Sequence, residues 1–424
     1  MNTSDNNSKL KVELGLLIKI VVAVMLGVII GYILSHKLPV VTLSDGDQVD
    51  IGLIIANTIM IFKSIFGNFL GFIIPLLIIG LVAPGIGNLR NGAGTLLVIT
   101  VIIAYTFTIF AGFFTYVITS IVYPFMLEGA NFVQGTGDVQ KGLTPYFTIP
   151  MPPLTTVTTG LILAFVLGFG LAVTKTPNLM KIMEDFREIV NKIINAIIIP
   201  LLPYYIFTIF LEITVVGEIG KVLAVFLKII AFIFLLTILL LLVFFGIAGV
   251  IAKRNPFKLL VAMAPAYVTA LGTSSSAATI PITYQSVRKI GVKEEIADFV
   301  VPLCATINLS GSMLKIVACS FAIILTTDMD VTFSQYVAFI FTLAVAMVAA
   351  PGVPGGAIMT AIAPLASILG FSDSTNGLMI ALYIVMDSFG TAANVTSDGA
   401  IATILDKIYR ETEDDSSEEA EVEA

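Results

Sequence analysis

The sequence is poor in charge, histidine, cysteine and tryptophan, and each shortage closes a class of explanation. Charged residues make up 12% of its 424 residues, about half the share found in soluble domains. Hydrophobic residues make up 57%. A water-soluble chain of this size could not hide so much apolar surface, which excludes an ordinary cytoplasmic enzyme. His36 is the one histidine, so no histidine-based metal centre or catalytic triad can be built in the core. Cys304 and Cys319 lie in one apolar segment and offer neither a disulfide framework nor a spaced metal motif. A membrane enzyme would still need a nucleophile with its base. One histidine and no metal spacing leave only Ser and Asp candidates, and no enzymatic activity is expected. With no tryptophan, Tyr and Phe must supply any interfacial belt.

What the sequence does have is a series of long uncharged runs. They lie near 12–35, 52–84, 96–124, 155–174, 189–214 and 221–251. Each can cross about 30 Å of hydrocarbon at about 1.5 Å per residue. A more broken region follows from 256 to 409. Two of its segments, 297–325 and 376–405, are long and apolar. Two others, 259–287 and 336–370, are interrupted by small residues and proline. If the interrupted pair enter and leave the bilayer from one side, eight helices span and both termini share a face. The 22 Lys and Arg residues identify that face as the cytoplasm, because basic residues accumulate there. Fifteen then lie inside and three, Lys37, Lys141 and Lys221, outside.

The expected architecture is therefore an all-α, multi-pass protein of the cell (inner or plasma) membrane with eight transmembrane helices and two re-entrant helical hairpins. It divides into a cytoplasmic N-terminus (1–11), helices 1–6 (12–251), a core carrying both hairpins with helices 7 and 8 (252–409), and an acidic cytoplasmic tail (410–424). The tail has eight acidic residues and no base from Glu411 onward, and is expected to be solvated and disordered. Met1 to Ser8 lacks the basic region of a cleavable signal peptide. Lys19, Lys63 and Lys228 fall inside spans and are expected to snorkel or to line a subunit seam.

The broken half carries the chemistry. Backbone that leaves the helix inside a bilayer must be buried in protein or line a cavity, and discontinuous helices build many substrate and ion sites near the midplane. The run Gly272-Thr273-Ser274-Ser275-Ser276-Ala277-Ala278-Thr279-Ile280-Pro281 suits a hairpin tip whose hydroxyls and free amides face a polar ligand. A helix–helix seam of small residues is the alternative. Two prolines and three glycines in Ala350-Pro351-Gly352-Val353-Pro354-Gly355-Gly356-Ala357 cannot continue a regular helix. Each hairpin precedes an octet expected to break a long apolar helix: Ala305-Thr306-Ile307-Asn308-Leu309-Ser310-Gly311-Ser312, then Ala392-Ala393-Asn394-Val395-Thr396-Ser397-Asp398-Gly399. A hairpin–helix unit used twice from opposite faces is an inverted repeat. Asp387, Thr391, Asn394 and Asp398 are spaced 4, 3 and 4, so they share one helix face. Their oxygens suit a small hard cation, and a carboxylate also suits an ammonium group.

The serine tip, the proline–glycine tip and the string Asp387-Ser-Phe-Gly-Thr-Ala-Ala-Asn-Val-Thr-Ser-Asp398 resemble the dicarboxylate/amino acid:cation symporters, the glutamate transporter family. The resemblance runs from the first span to about Tyr409 and is most specific over 256–409. It implies a homotrimer in the lipid bilayer that imports an amino acid with a cation, sodium or a proton, and that has no nucleic-acid partner. Helices 1, 2, 4 and 5 would form a scaffold. Helices 3, 6, 7 and 8 with both hairpins would slide as an elevator-type transport domain, gated by the second hairpin. Ser275 and Ser276 would donate to the substrate α-carboxylate, with Asn394 assisting. Asp387 would meet the substrate ammonium beside Thr391. Ser312 and Gly355 would complete the substrate site. Asp398, with backbone oxygens near Cys304, Asn308 and Asn394, would form one sodium site. Carbonyls around Thr306 and from Val348 to Ala350 would form a second.

The departures narrow the substrate. Relatives that take aspartate or glutamate carry Arg at the position of Gly390. Glycine there leaves room and no charge, which favours a small neutral amino acid such as serine, threonine or alanine. Asp387 then lacks an obvious basic partner. Leu309 and Ser310 replace a thioether and a carboxylate that border sodium sites in the family, so fewer coupled ions are expected. Lys315 admits four readings: a structural pair with an aspartate; a stand-in for a lost cation near Ser310 and Asn308; an anion partner for an acidic substrate or dicarboxylate; or a proton-coupling group. A channel would need a continuous polar pathway, and two closable tips favour alternating access instead.

Overall fold

Uncharged runs of Leu, Ile, Val and Phe can satisfy their own backbone in lipid only as helices or closed barrels, and the helical solution is the one adopted. The computed structural model describes residues 3–36, 38–42, 48–88, 94–128, 143–174, 176–217, 219–347, 350 and 355–422. The stretch from Pro351 to Pro354, Val348, Lys37, Lys141 and the side chain of Lys221 lie outside the described residues. The chain opens with α1 (Thr3–His36), a short antiparallel pair β1 (Val40–Thr42) and β2 (Gln48–Asp50), and α2 (Ile51–Asn88). Val41 lies opposite Val49 in the pair. Then come α3 (Gly94–Met126), α4 (Val157–Thr174) and α5 (Pro177–Ile193). A π-helical turn over Ile194–Ile198 joins α5 to α6 (Ile199–Val215), and α7 (Ile219–Ala252) follows.

The expected fifth span begins earlier than the apolar run predicts. Pro177 sits at the first position of α5, where its missing N–H costs nothing. Met183 and Val190 face inward while Lys181, Glu184, Asp185 and Glu188 do not, and α5 packs along α2. The charges that hide this segment from a search for apolar runs occupy one face of an amphipathic helix.

The first hairpin is α8 (Pro256–Ala262), α9 (Ala264–Thr273) and α10 (Ser276–Lys289). Ser274 takes a left-handed conformation at φ 47°, and Ser275 caps α10 by accepting the Ala278 N–H at 3.3 Å. Two residues thus reverse the chain. Next come α11 (Glu294–Ile307) and α12 (Ser310–Thr326), separated by Asn308 and Leu309 inside the expected octet. The second hairpin is α13 (Phe333–Met347) and α14 (Gly356–Leu369), and α15 (Asp373–Val385) and α16 (Asp387–Val422) close the chain.

Two expectations fail here. Ala392 to Gly399 is unbroken helix, and the bend of 61° falls instead between α15 and α16, at Met386. Ser397 of that octet bonds within the helix to the Asn394 carbonyl, whereas the carbonyls of Met386 and Asp387 also take the Lys315 ammonium. The acidic tail continues α16 to Val422 rather than lying disordered. Glu and Ala are good helix formers, and extending an existing helix avoids the cost of a new nucleus.

Among the described residues, six helical runs are long and apolar enough to cross a membrane: Ile18–His36, Ile51–Leu77, Val98–Met126, Pro177–Val215, Val222–Ala252 and Glu294–Thr326. The bent pair α15–α16 makes a seventh, and α4 is a further apolar helix of 18 residues whose described apolar stretch, Ile162–Leu171, is shorter than these. α1 lies along α6, and α2 along α4 and α5; α3 and α7 pack instead on α12 and α16. The run through α11 and α12 is the most deeply enclosed and α1 the least. Lys63 does not snorkel: within the chain it pairs with Glu212 of α6 and donates to Ser374 of α15 at 3.0 Å.

Candidate functional site

The site forms where the breaks in α11–α12 and α15–α16 face each other and the two hairpin tips close on them. Broken helices leave N–H and C=O groups without partners, and side chains supply those partners here. The amide oxygen of Asn394 accepts the free N–H groups of Gly311 at 2.7 Å and Ser312 at 3.2 Å, at the start of α12. Its nitrogen donates to Ser312 Oγ at 3.2 Å, and the Tyr383 hydroxyl donates to the same oxygen at 3.2 Å. The helices approach so closely that a Cβ on Gly311 would sit 2.5 Å from both Ala393 Cβ and the Gly390 carbonyl.

Asp387 is the centre of the arrangement. Its Oδ1 lies 3.3 Å from Lys315 Nζ, and its Oδ2 accepts the N–H of Gly355, at the tip of the second hairpin, at 2.8 Å. Gly355 is left-handed at φ 73°, a conformation that favours glycine. Thr391 Oγ1 donates to the Asp387 carbonyl at 3.1 Å and lies 3.5 Å from the Ser274 carbonyl of the first tip. Both tips therefore meet the same turn of α16. Ser275 is buried and Ser276, the first residue of α10, is half-buried beside it.

Lys315 is fully buried. Besides Asp387 Oδ1, its ammonium donates to the carbonyls of Met386 and Asp387, each at 3.2 Å, and lies 3.9 Å from the centre of the Tyr383 ring. Two expectations are corrected by this. Asp387 does have a basic partner. The ammonium does not stand near Ser310 and Asn308, because Ser310 and Lys315 are five residues apart and so point about 140° apart around the helix. Gly390 does not leave an open space either: a Cβ there would overlap Lys315 Cε and Nζ.

About three helical turns beyond Asp387 along α16 lies a second polar cluster. Asn308 Nδ2 donates to Asp398 Oδ1 and Ser397 Oγ, both at 2.8 Å, and to the Asn394 carbonyl at 3.1 Å. Ser310 Oγ lies 3.0 Å from Ser397 Oγ. Asp398 and Asn308 are each 1% exposed. Among the described residues no Lys or Arg pairs with Asp398, and Asn308 Oδ1 has no hydrogen-bond partner. A buried carboxylate beside an orphaned amide oxygen and a backbone carbonyl is a hard-oxygen set that fits a sodium ion. No cluster of three or more His, Cys, Asp or Glu occurs among the described residues, so the set does not resemble a zinc or calcium cage. Cys304 is buried with its carbonyl accepting the Asn308 N–H at 2.9 Å. Of the second expected sodium set, Thr306 is exposed with its hydroxyl donating to the Leu303 carbonyl and Ala350 is half-buried, while Val348 lies outside the described residues.

Sequence reasoning missed Tyr383, Ser397 and the Met386 carbonyl. Tyr383 lies four residues before Asp387, so the spacing that gave the stripe 387, 391, 394, 398 already places it on the same side of the bent pair.

The fold and site together define a multi-pass, all-α membrane protein whose broken helices and hairpin tips enclose a polar site. The sodium:dicarboxylate symporter family matches residues 16–408, and the chain belongs to that family, one of transporters rather than enzymes. It is 28% identical over 255 residues to excitatory amino acid transporter 2 of Homo sapiens, covering 58% of this chain and 43% of that one. It is 27% identical over 254 residues to an excitatory amino acid transporter of Caenorhabditis elegans, covering 58% and 50%. With excitatory amino acid transporter 3 of Oryctolagus cuniculus it shares 32% identity over 162 residues, covering 38% and 31%. These matches span half of each relative's length or less.

Proposed function

We propose that the chain is a sodium-coupled symporter that imports small neutral amino acids, such as serine, threonine or alanine, across the cell membrane. The observation that carries the neutral substrate is the state of Lys315. A lysine ammonium has three N–H donors, and three oxygens at 3.2–3.3 Å already take them. Among the described residues Asp387 pairs with no second Lys or Arg that could meet a side-chain carboxylate, and Gly390 brings none. Asp387 is the partner for the substrate ammonium. The serine tip with Asn394 and Ser312 forms the polar wall for its α-carboxylate, and Asp398 with Asn308 and the Asn394 carbonyl would hold sodium. A bound sodium supplies positive charge beside Asp398 and ties the break in α11–α12 to α16.

The packing supports an elevator division. α1 packs mainly on α6 and α2 mainly on α4, while α3 packs mainly on α12 and α7 on α16, with α14 and α15 meeting α2, α4 and α6 at the boundary. A homotrimer with both termini cytoplasmic completes the reading.

One observation favours a second reading. The Lys315 ammonium occupies the space a side chain at 390 would fill, so it could serve an acidic amino acid or dicarboxylate if it released a carbonyl. The named relatives are excitatory amino acid transporters. Uptake of labelled serine, alanine and aspartate into liposomes, under an imposed sodium or proton gradient, separates the two. Concentrative, sodium-driven uptake of serine or alanine with aspartate excluded is the expected result. Comparable aspartate uptake would replace it with the second reading, and downhill flux alone would indicate a channel.

A further inference from the structure

Asp387 offers its two oxygens to two different elements, and this division has a consequence for how the site closes. Oδ1 belongs to α12, through Lys315. Oδ2 belongs to the second hairpin, through the Gly355 N–H. That N–H precedes α14, so no carbonyl of the helix competes for it. Lys315 is fixed by all three of its donors and by the Tyr383 ring. Gly390, lying against its Cε and Nζ, provides the space it fills. Oδ1 is thus permanently engaged, and Oδ2 is the oxygen that can change partners.

We propose that Lys315 is a tethered counter-ion that lets the second hairpin close over the site without substrate, while the Gly355 N–H and a substrate ammonium take turns at Asp387 Oδ2. The proposal rests on the symport reading above. A symporter that accumulates its substrate must re-orient once per cycle with its substrate site empty. Sealing a lone carboxylate into a bilayer is costly, and breaking a buried pair by removing one partner is costlier than the pair itself. With Lys315 in place the sealed site carries a neutral pair, and the hairpin amide caps the remaining oxygen. With substrate aboard, its ammonium compensates Asp387, and the tethered cation is no longer needed for closure. Lys315 is then a positioning residue for the empty return rather than a group that touches the substrate.

The two half-cycles can be measured apart. Exchange of labelled for unlabelled serine across a liposome membrane uses only loaded re-orientation. Net accumulation on a sodium gradient also requires the empty return. In the unaltered protein both are expected. In Lys315→Met the ratio of net accumulation to exchange is expected to fall about a hundredfold. An unchanged ratio would overturn the proposal. Should Lys315→Met abolish exchange as well, the pair Lys315→Met with Gly390→Lys decides. It returns an ammonium beside Asp387 at i,i+3 on the adjoining turn. Recovered accumulation supports the counter-ion role, and continued loss overturns it. Wild-type protein that neither exchanges nor accumulates any of the three amino acids would remove the transport reading, and the proposal with it.

Discussion

Asp398 and Asp387 are both buried carboxylates on one face of α16, yet their surroundings assign them opposite tasks. Asp387 has a resident ammonium at 3.3 Å. Asp398 has an amide donor at 2.8 Å and, among the described residues, no base. A carboxylate kept ionised in a bilayer needs a positive partner, so Asp398 is the one that calls for a mobile cation. Asp398→Asn keeps the shape and leaves an oxygen to accept from Asn308 Nδ2, but removes the charge. The sodium concentration for half-maximal serine uptake is expected to rise at least about tenfold, a change of about 1.4 kcal/mol. A sodium titration of uptake measures it directly. An unshifted curve would mean that sodium binds elsewhere and that Asp398 is structural.

At the scale of elements, the site depends on how closely α12 and α16 approach, which Gly311 sets, and on the space at Gly390 that Lys315 fills. The atom a Cβ would meet is the flexible end of Lys315, so Gly390→Ala does not pry the helices apart; it pushes the ammonium off its three oxygens. The expected loss is about 1–3 kcal/mol of stability, read by thermal unfolding of the purified protein. In a Lys315→Ala background the same substitution should cost far less, and this non-additivity is the signature. Equal costs in both backgrounds would show that the two residues do not meet. The same pair marks the limit of what could be read beforehand. The two serine-tip residues, the stripe on α16 and the break at Asn308 follow from composition and spacing, because turn chemistry and helical period are local. The partner of Lys315 does not, since spacing along α12 shows which face the lysine takes but not which helix lies across from it. The bend at Met386 was hidden for a related reason. The Met386 carbonyl accepts the N–H groups of Phe389 and Gly390 and also a lysine 71 residues away, and that distant partner leaves no mark in the adjacent sequence. The strands at Val40–Thr42 and Gln48–Asp50 are too short to stand out beside long apolar runs, although β-branched Val40, Val41 and Thr42 carry a strand signal.

For the whole molecule, the question is whether the site-bearing helices slide past α2 and α6. The boundary holds polar and apolar contacts that sliding must break. Lys63 of α2, already paired with Glu212, donates to Ser374 of α15 at 3.0 Å. Below it, a Cβ on Gly377 of α15 would press on the side chain of Ile209 of α6, 3.1 Å from its Cγ1. One bond further, Ile209 Cβ is then at most about 4.6 Å away, close to the Cβ–Cβ spacing of a disulfide, about 3.5–4.5 Å. The two native cysteines, Cys304 and Cys319, are buried, which leaves an introduced pair free of competition. Ile209→Cys with Gly377→Cys should therefore cross-link on oxidation. If the halves must part for each cycle, oxidation stops both exchange and accumulation, and reductant restores them. Either single variant should be insensitive to the same treatment, because one thiol cannot tie the two helices. Full uptake by completely cross-linked protein would mean that α15 and α6 move together. The substrate would then cross by rearrangement of the hairpin tips alone, within a boundary that stays fixed.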